Sequence, residues 1–275
     1  MAKDSPDPRL IPDRGRPGGW FVRIGGTDQS FVDTSNPAYL EFDYVQRIAE
    51  VIDQLAPPQE RVRVVHVGGG GLTLPRYVAA TRPTSAQIVL EPDAGLIAAV
   101  RAVAPLPKNS GIKVRPVDGR SGLAAMPENY ADLIIQDAFN GAQVPAELTS
   151  LEWLALVVRV LKPEGTLALN LTDKAPFAWS RRLVAGVAEL FGQVVFAADP
   201  ATIKGRRFGN LVVSAGPNLD VGRLERVAGR AAFPYRVVSG AQLARWLGNA
   251  RPYTDADAQP SADPKTFGVT MLGRN

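Results

Sequence analysis

The stretch Val64-Val65-His66-Val67-Gly68-Gly69-Gly70-Gly71-Leu72 decides how this chain folds. An apolar run, begun at Arg61 and ending at Val67, reads as a buried strand. Four glycines follow it, and a helical pattern from Leu72 to Ala80 follows them. Glycine permits positive φ and lets backbone approach a ligand closely. A helix N-terminus beyond the glycines presents N–H groups that lack intrahelical partners. A strand-to-helix turn needs one glycine, so four in a row (Gly68, Gly69, Gly70 and Gly71) point to a ligand held against the loop.

Working outward, the alternation continues for about 150 residues. Strands are expected at Ala86–Leu90, Ile112–Val117, Ala131–Ile135 and Thr166–Leu171. Helices are expected at Gly95–Val103, Leu151–Leu161 and Pro176–Phe191. Parallel strands need crossover connections, so this order predicts a parallel sheet with helices on both faces. Gln193–Ala197 and Asn210–Ser214 then form two strands with no helix-length segment between them, which predicts an antiparallel end to the sheet. The fold expected is α/β, a Rossmann-like doubly wound sheet of seven strands.

Upstream, Trp20–Ile24 and Gln29–Asp33 flank Gly25-Gly26-Thr27-Asp28 and read as a hairpin. A helix with apolar residues Phe42, Val45, Ile48, Ala49 and Ile52 runs from Tyr39 to Leu55 and stops before Pro57-Pro58. The division expected is a disordered arm (1–19), a hairpin and helix (20–58), the Rossmann-like domain (59–216), and C-terminal helices at Val221–Ala231 and Gly240–Leu247 with a tail from Pro252 (217–275).

Composition narrows the chemistry. The 275 residues carry 31 Lys plus Arg against 27 Asp plus Glu, a net charge of +4 spread along the chain, with 7% aromatics. Nucleic-acid binders concentrate such charge in stripes, so nucleic acid is not an expected partner. There is no cysteine and one histidine, His66, inside a strand. Thiol nucleophiles, Cys or multi-His metal sites and Ser–His catalysis are set aside, and no metal is expected. No apolar run reaches the roughly 20 residues of a membrane span, and the Pro-rich start lacks the apolar core of a signal peptide. No membrane partner is expected, and a cytoplasmic location is.

Three acids fall where strands end. Glu91 closes the second strand about 20 residues after the glycines, where a carboxylate can accept from both ribose hydroxyls of a nucleoside. Asp118-Gly119 closes the third, where a carboxylate can accept from the adenine amino group. Asp137 closes the fourth, facing the crevice outside the carboxyl ends of the strands, where it can deprotonate or steer a nucleophile. Phe139 follows it and fits either a ligand cover or the core. A dehydrogenase fingerprint would require glycine where Thr73 stands.

Together these residues resemble the spermidine synthase (polyamine aminopropyltransferase) family, whose fold is that of class I S-adenosylmethionine-dependent methyltransferases. Gly25-Gly26-Thr27-Asp28-Gln29 and Tyr39-Leu40-Glu41 stand where the family has Asp-Gly-x-x-Gln and Tyr-His-Glu elements. Gly68-Gly69-Gly70-Gly71-Leu72 stands for Gly-Gly-Gly-Asp-Gly. Glu91, Asp118 and Asp137 stand for the ribose, adenine-side and catalytic acids. Pro145-Ala146 with Leu148, and Lys162-Pro163-Glu164-Gly165, match further turns. The resemblance implies an adenosyl sulfonium donor, S-adenosylmethionine or its decarboxylated form, bound by Gln29, Gly68 to Gly71, Glu91, Asp118 and Gly119. It implies a small-molecule acceptor near Tyr39, Asn140 and Asp173, and Asp137 as the catalytic residue.

Gly71 departs from the family aspartate that holds the amine of the decarboxylated donor. Its absence removes a charge-assisted hydrogen bond and a charge that would repel the carboxylate of intact S-adenosylmethionine. Leu40 replaces the family histidine, and a second acceptor-side acid is Asn140 or absent. Methyl transfer therefore ranks ahead of aminopropyl transfer in polyamine biosynthesis, with a catalytically silent ligand-binding relative third. The N-terminal hairpin can pair with a symmetry mate's edge, which allows a homodimer.

Overall fold

The computed structural model describes residue 7 and residues 9–264. Three strands, β1 (Leu10–Pro12), β2 (Gly19–Ile24) and β3 (Thr27–Asp33), form a small antiparallel sheet in that order. Gly25 and Gly26 both have positive φ, 60° and 84°, as a two-residue hairpin turn between twisted strands demands. β1 corrects the reading of residues 1–19 as a disordered arm. Leu10 is buried beside Val22 and Leu72, and Arg9 pairs with Asp93 at 2.7 Å. Long-range packing places this segment, and its own sequence carries no periodic signal. Residues 1–6 and 8 of that arm lie outside the described residues.

Helix α1 (Asp43–Leu55) begins later than its apolar spacing suggests, because Phe42 is extended. Then come β4 (Arg63–Val67), α2 (Thr73–Thr81), β5 (Ala86–Leu90), α3 (Ala94–Val103), β6 (Ile112–Arg115), α4 (Gly119–Ala124), β7 (Ala131–Gln136), α5 (Leu151–Val160), β8 (Leu161–Asp173) and α6 (Ala178–Leu190). β9 (Val194–Ala198), α7 (Pro200–Ile203), β10 (Gly209–Ala215), α8 (Val221–Ala228), β11 (Arg236–Ser239) and α9 (Gly240–Leu247) complete the order.

The main sheet runs β11-β9-β10-β8-β7-β4-β5-β6. β8, β7, β4, β5 and β6 are parallel neighbours, and β10 lies antiparallel between β8 and β9. This is the doubly wound sheet expected from the sequence, with β11 added antiparallel beside β9 as an eighth, edge strand. Its four residues are too few to show a period. α1, α2 and α3 cover one face through residues such as Ile48, Val78 and Val100. α5, α6 and α9 cover the other through Trp153, Val184 and Leu243.

From Pro252 to residue 264 the tail is a strap along the domain. The Tyr253 carbonyl accepts from Leu151 N at 2.8 Å, and Arg182 stacks 3.8 Å from the Tyr253 ring centre. Ser261 then pairs with Val144 in both directions, at 3.1 and 2.9 Å.

Candidate functional site

A cavity of about 730 Å³ opens outside the carboxyl ends of the parallel strands, where an open α/β sheet holds its ligands. Its floor is the glycine loop. Gly68 has φ 96°, and a Cβ there would collide with the Asp137 carbonyl. The Asp137 N–H in turn donates to Val67 O at 2.9 Å. Glycine at this position therefore lets the end of β4 and the end of β7 lie against each other. Leu72 takes a left-handed φ of 59°, is fully buried, and turns the chain into α2.

Glu91 wraps the loop. Its Oε2 accepts from Gly69 N at 2.8 Å and its Oε1 from Asp93 N at 2.9 Å. Asp118 caps α4, accepting from Ser121 N at 2.8 Å, and this backbone donor lowers its pKa. Each carboxylate offers about four acceptor sites, so both keep capacity for a ligand. Both line the cavity, together with Gln29, Gly68, Gly69, Gly70, Gly119, Asp137 and Asn140.

Asp137 is half-buried and lines the cavity. Burial pushes its pKa up to about 6, opposed by the hydrogen bond from Asn170 and then by Tyr44. Asn170 Nδ2 donates to Oδ1 at 2.8 Å, and Asn210 Nδ2 donates to Asn170 Oδ1 at 2.9 Å. The Tyr44 hydroxyl is 3.5 Å from Oδ2. Burial, and then the charge of Asp137, raise the pKa of Tyr44, so it stays a neutral donor. Behind Asp137, Gln136 accepts from Trp153 Nε1 at 2.8 Å and donates to Leu148 O at 3.2 Å, which fixes the strand end.

Three expected site residues stand elsewhere. Tyr39 does not line the cavity: its hydroxyl donates to Glu41 at 2.6 Å and its ring lies under the Arg16 guanidinium. The tyrosine that reaches the site is Tyr44, on the first turn of α1. Asp173 is buried and accepts from Lys174 N, Ser180 N and Ser180 Oγ, so it anchors the start of α6 instead of meeting an acceptor. Gly71 lies behind the wall, its Cβ direction pointing at Ser30 Oγ, 2.9 Å away. Tyr44, Asn170, Ser30 and Thr73 are site residues that the sequence reading missed. Tyr44 was discoverable as a polar tip next to the buried stripe of α1. The amides on β8 and β10 carried no signal, since strand pairing alone brings them to β7.

His66 also faces the cavity and is neutral there, its pKa lowered to about 4 by burial and only partly restored by Gln87. Gln87 Nε2 donates to Pro75 O at 3.0 Å, which turns its Oε1 toward His66 Nε2 at 2.9 Å and assigns the imidazole proton to Nε2. Among the described residues no cluster of three or more His, Cys, Asp or Glu could hold a metal, and no helix is long and apolar enough to cross a membrane.

No protein-family model matches the chain, and no curated protein does. Solved structures do. A probable spermidine synthase from Corynebacterium glutamicum ATCC 13032 superposes with a TM-score of 0.82 at 27% identity, over 97% of this chain and 95% of that one. The fold is that of the spermidine synthase family. This spermidine-synthase-like chain also matches the Thermotoga maritima spermidine synthase at a TM-score of 0.51 and 19% identity, over 70% of this chain and 66% of that one. It matches human methyltransferase-like protein 13 at 0.54 and 20%, over 77% and 95%. Gln29 and Ser30 of the N-terminal sheet line the cavity, with Ser30 packed against the glycine loop.

Proposed function

We propose that this chain is a transferase that moves an alkyl group from an adenosyl sulfonium donor to a small nucleophile. The observation that carries the reading is Asp137, a carboxylate held by Asn170 at the end of β7 and lining the cavity. Its raised pKa suits a general base near neutral pH. Among the neighbours, human methyltransferase-like protein 13 was solved with SAH, and a spermidine synthase with the transition-state analogue AdoDATO.

The residues fit such a donor. Glu91 would take the ribose hydroxyls, Asp118 the adenine amino group, and the glycine loop would let the ligand lie against backbone. The donor supplies a carbon already activated by its positive sulfur, so the protein's work is positioning and electrostatics. Asp137 accepts the proton of the nucleophile. The nucleophile's lone pair forms the bond to carbon as the carbon–sulfur bond breaks, and that bonding pair stays on sulfur, which becomes neutral.

Methyl transfer from S-adenosylmethionine comes first. Ser30 and Thr73 make that part of the wall neutral, with their hydroxyls 3.2 Å apart and no carboxylate on Gly71 behind them, so a donor carboxylate would meet no acid there. Aminopropyl transfer from the decarboxylated donor is the second reading. It is favoured by a lining with five acids (Glu91, Asp93, Asp118, Asp137 and Glu147) and, among the described residues, no Lys or Arg. Calorimetric titration with both donors decides. A tenfold preference, about 1.4 kcal/mol, for the decarboxylated form selects aminopropyl transfer. Binding of neither overturns the proposal and favours a catalytically silent relative.

A further inference from the structure

The acids of the cavity are unevenly placed. Glu91, Asp93 and Asp118 follow the ends of β5 and β6, on one side of Asp137, and Glu147, whose carbonyl accepts from Arg120 of α4, lies with them. On the other side, toward β8 and β10, the polar groups that Asp137 meets are Asn170 and Tyr44, both uncharged, and Asn140, three residues along the chain, lines the same cavity. Asp173, at the end of β8, is buried and occupied by Lys174 N and Ser180.

A primary amine that attacks must give up its proton, and Asp137 is placed to take it. A second ammonium on the same molecule would keep its charge and would need a carboxylate of its own, because burying an unpaired charge is costly. On the β8 and β10 side the described wall offers none beyond Asp137. It offers amide and hydroxyl groups that pair with an uncharged polar end.

We infer that the acceptor carries a single ionisable nucleophile and an uncharged polar remainder, as a monoamine or amino alcohol does, and is not a diamine. The inference rests on the transferase reading above. In the step itself, the amine nitrogen bonds to the donor carbon, the carbon–sulfur bonding pair stays on sulfur, and the amine proton passes to Asp137. No further reactant is needed.

Three near-isosteric probes test it: 4-aminobutan-1-ol, butylamine and 1,4-diaminobutane. Each is titrated calorimetrically into the full chain saturated with S-adenosylhomocysteine or 5′-methylthioadenosine. The amino alcohol is expected to bind at least tenfold more tightly than the diamine. Asn140→Asp, checked for folding by its melting curve, is expected to move that ratio at least tenfold toward the diamine. A diamine that binds wild type as tightly as the amino alcohol overturns the inference. So does nucleoside binding with no response to any of the three amines, or a folded Asn140→Asp whose ratio stays put. Failure of both nucleosides to bind has a different meaning: it removes the donor site itself, and the acceptor inference falls with it.

Discussion

The Tyr44 hydroxyl lies 3.5 Å from Asp137 Oδ2, while Asn170 holds the other carboxylate oxygen at 2.8 Å. One oxygen is thus fixed by a buried amide and the other sits at the edge of hydrogen-bond range, beside the cavity. Apo catalytic hydrogen bonds are often long and tighten when ligand arrives. Tyr44→Phe removes a donor that favours the charged carboxylate. The acid limb of the kcat/KM profile, set by a group near 6, should therefore move to higher pH, with a several-fold loss at pH 7. An unmoved limb would assign Tyr44 to packing alone.

Asp137→Asn should lower turnover about 10²-fold or more while sparing donor affinity. Its effect on stability has the opposite sign. The folded pKa of Asp137 is above its ordinary value of 3.8, so the stability linked to its proton is present below pH 4 and lost as pH rises through about 6. Asparagine does not ionise. The variant should gain on wild type by up to about 3 kcal/mol between pH 4 and pH 8, read from urea midpoints at both pH values.

Glu91→Ala should weaken donor binding at least tenfold, since two ribose hydroxyls lose a charged acceptor worth roughly 1.5–3 kcal/mol each before compensation. Glu91 also ties Gly69 and Asp93 into the loop. Glu91→Gln keeps an acceptor for one of those N–H groups, so it should retain more of the loop's order and still bind donor less tightly. Calorimetry on both variants checks this, and an unchanged dissociation constant in either would remove Glu91 from the ribose.

His66 should show in an acid titration. Its folded pKa, about 4, is depressed from 6.5 by burial. The stability linked to the neutral ring is present above pH 6.5 and lost as pH falls through 4, by about 3 kcal/mol. Comparing wild type with His66→Gln leaves the opposite contribution of Asp137 common to both. Wild type should lose ground on the variant between pH 7 and pH 4.

The order of strands and helices was legible because crossover helices show their own apolar stripes, as α5 does at Trp153, Leu154, Val157 and Val160. The acids at strand ends were legible because chain order fixes where parallel strands stop. What sequence could not show depends on pairing across the sheet. Asn170 and Asn210 are 40 residues apart and meet only because β10 runs antiparallel to β8. The resemblance singles out Tyr39, and it is Tyr44, at the start of α1 past the extended Phe42, that lines the cavity instead. β1 is three residues long and is held by Val22 and Leu72, neither of which its own sequence announces.

Gly71→Asp tests what separates the two donors. Gly71 is not held at positive φ, so the backbone accepts a side chain there, but its Cβ would sit 2.9 Å from Ser30 Oγ. That atom is the end of a rotatable side chain, although it also pairs with Thr73. Ser30→Ala in the same background gives the new carboxylate room beside the cavity. The carboxylate would attract the terminal amine of decarboxylated S-adenosylmethionine and repel the carboxylate of the intact donor. At about 4 Å and an effective dielectric near 20, each interaction is about 4 kcal/mol before solvent screening. A net shift of at least about 1.4 kcal/mol, tenfold in the donor ratio, should survive. Ser30→Ala alone should leave the ratio unchanged, which separates charge from space. A folded double variant with an unmoved ratio would show that the neutral wall at Gly71 does not select the donor, and the ranking of methyl over aminopropyl transfer would lose its support.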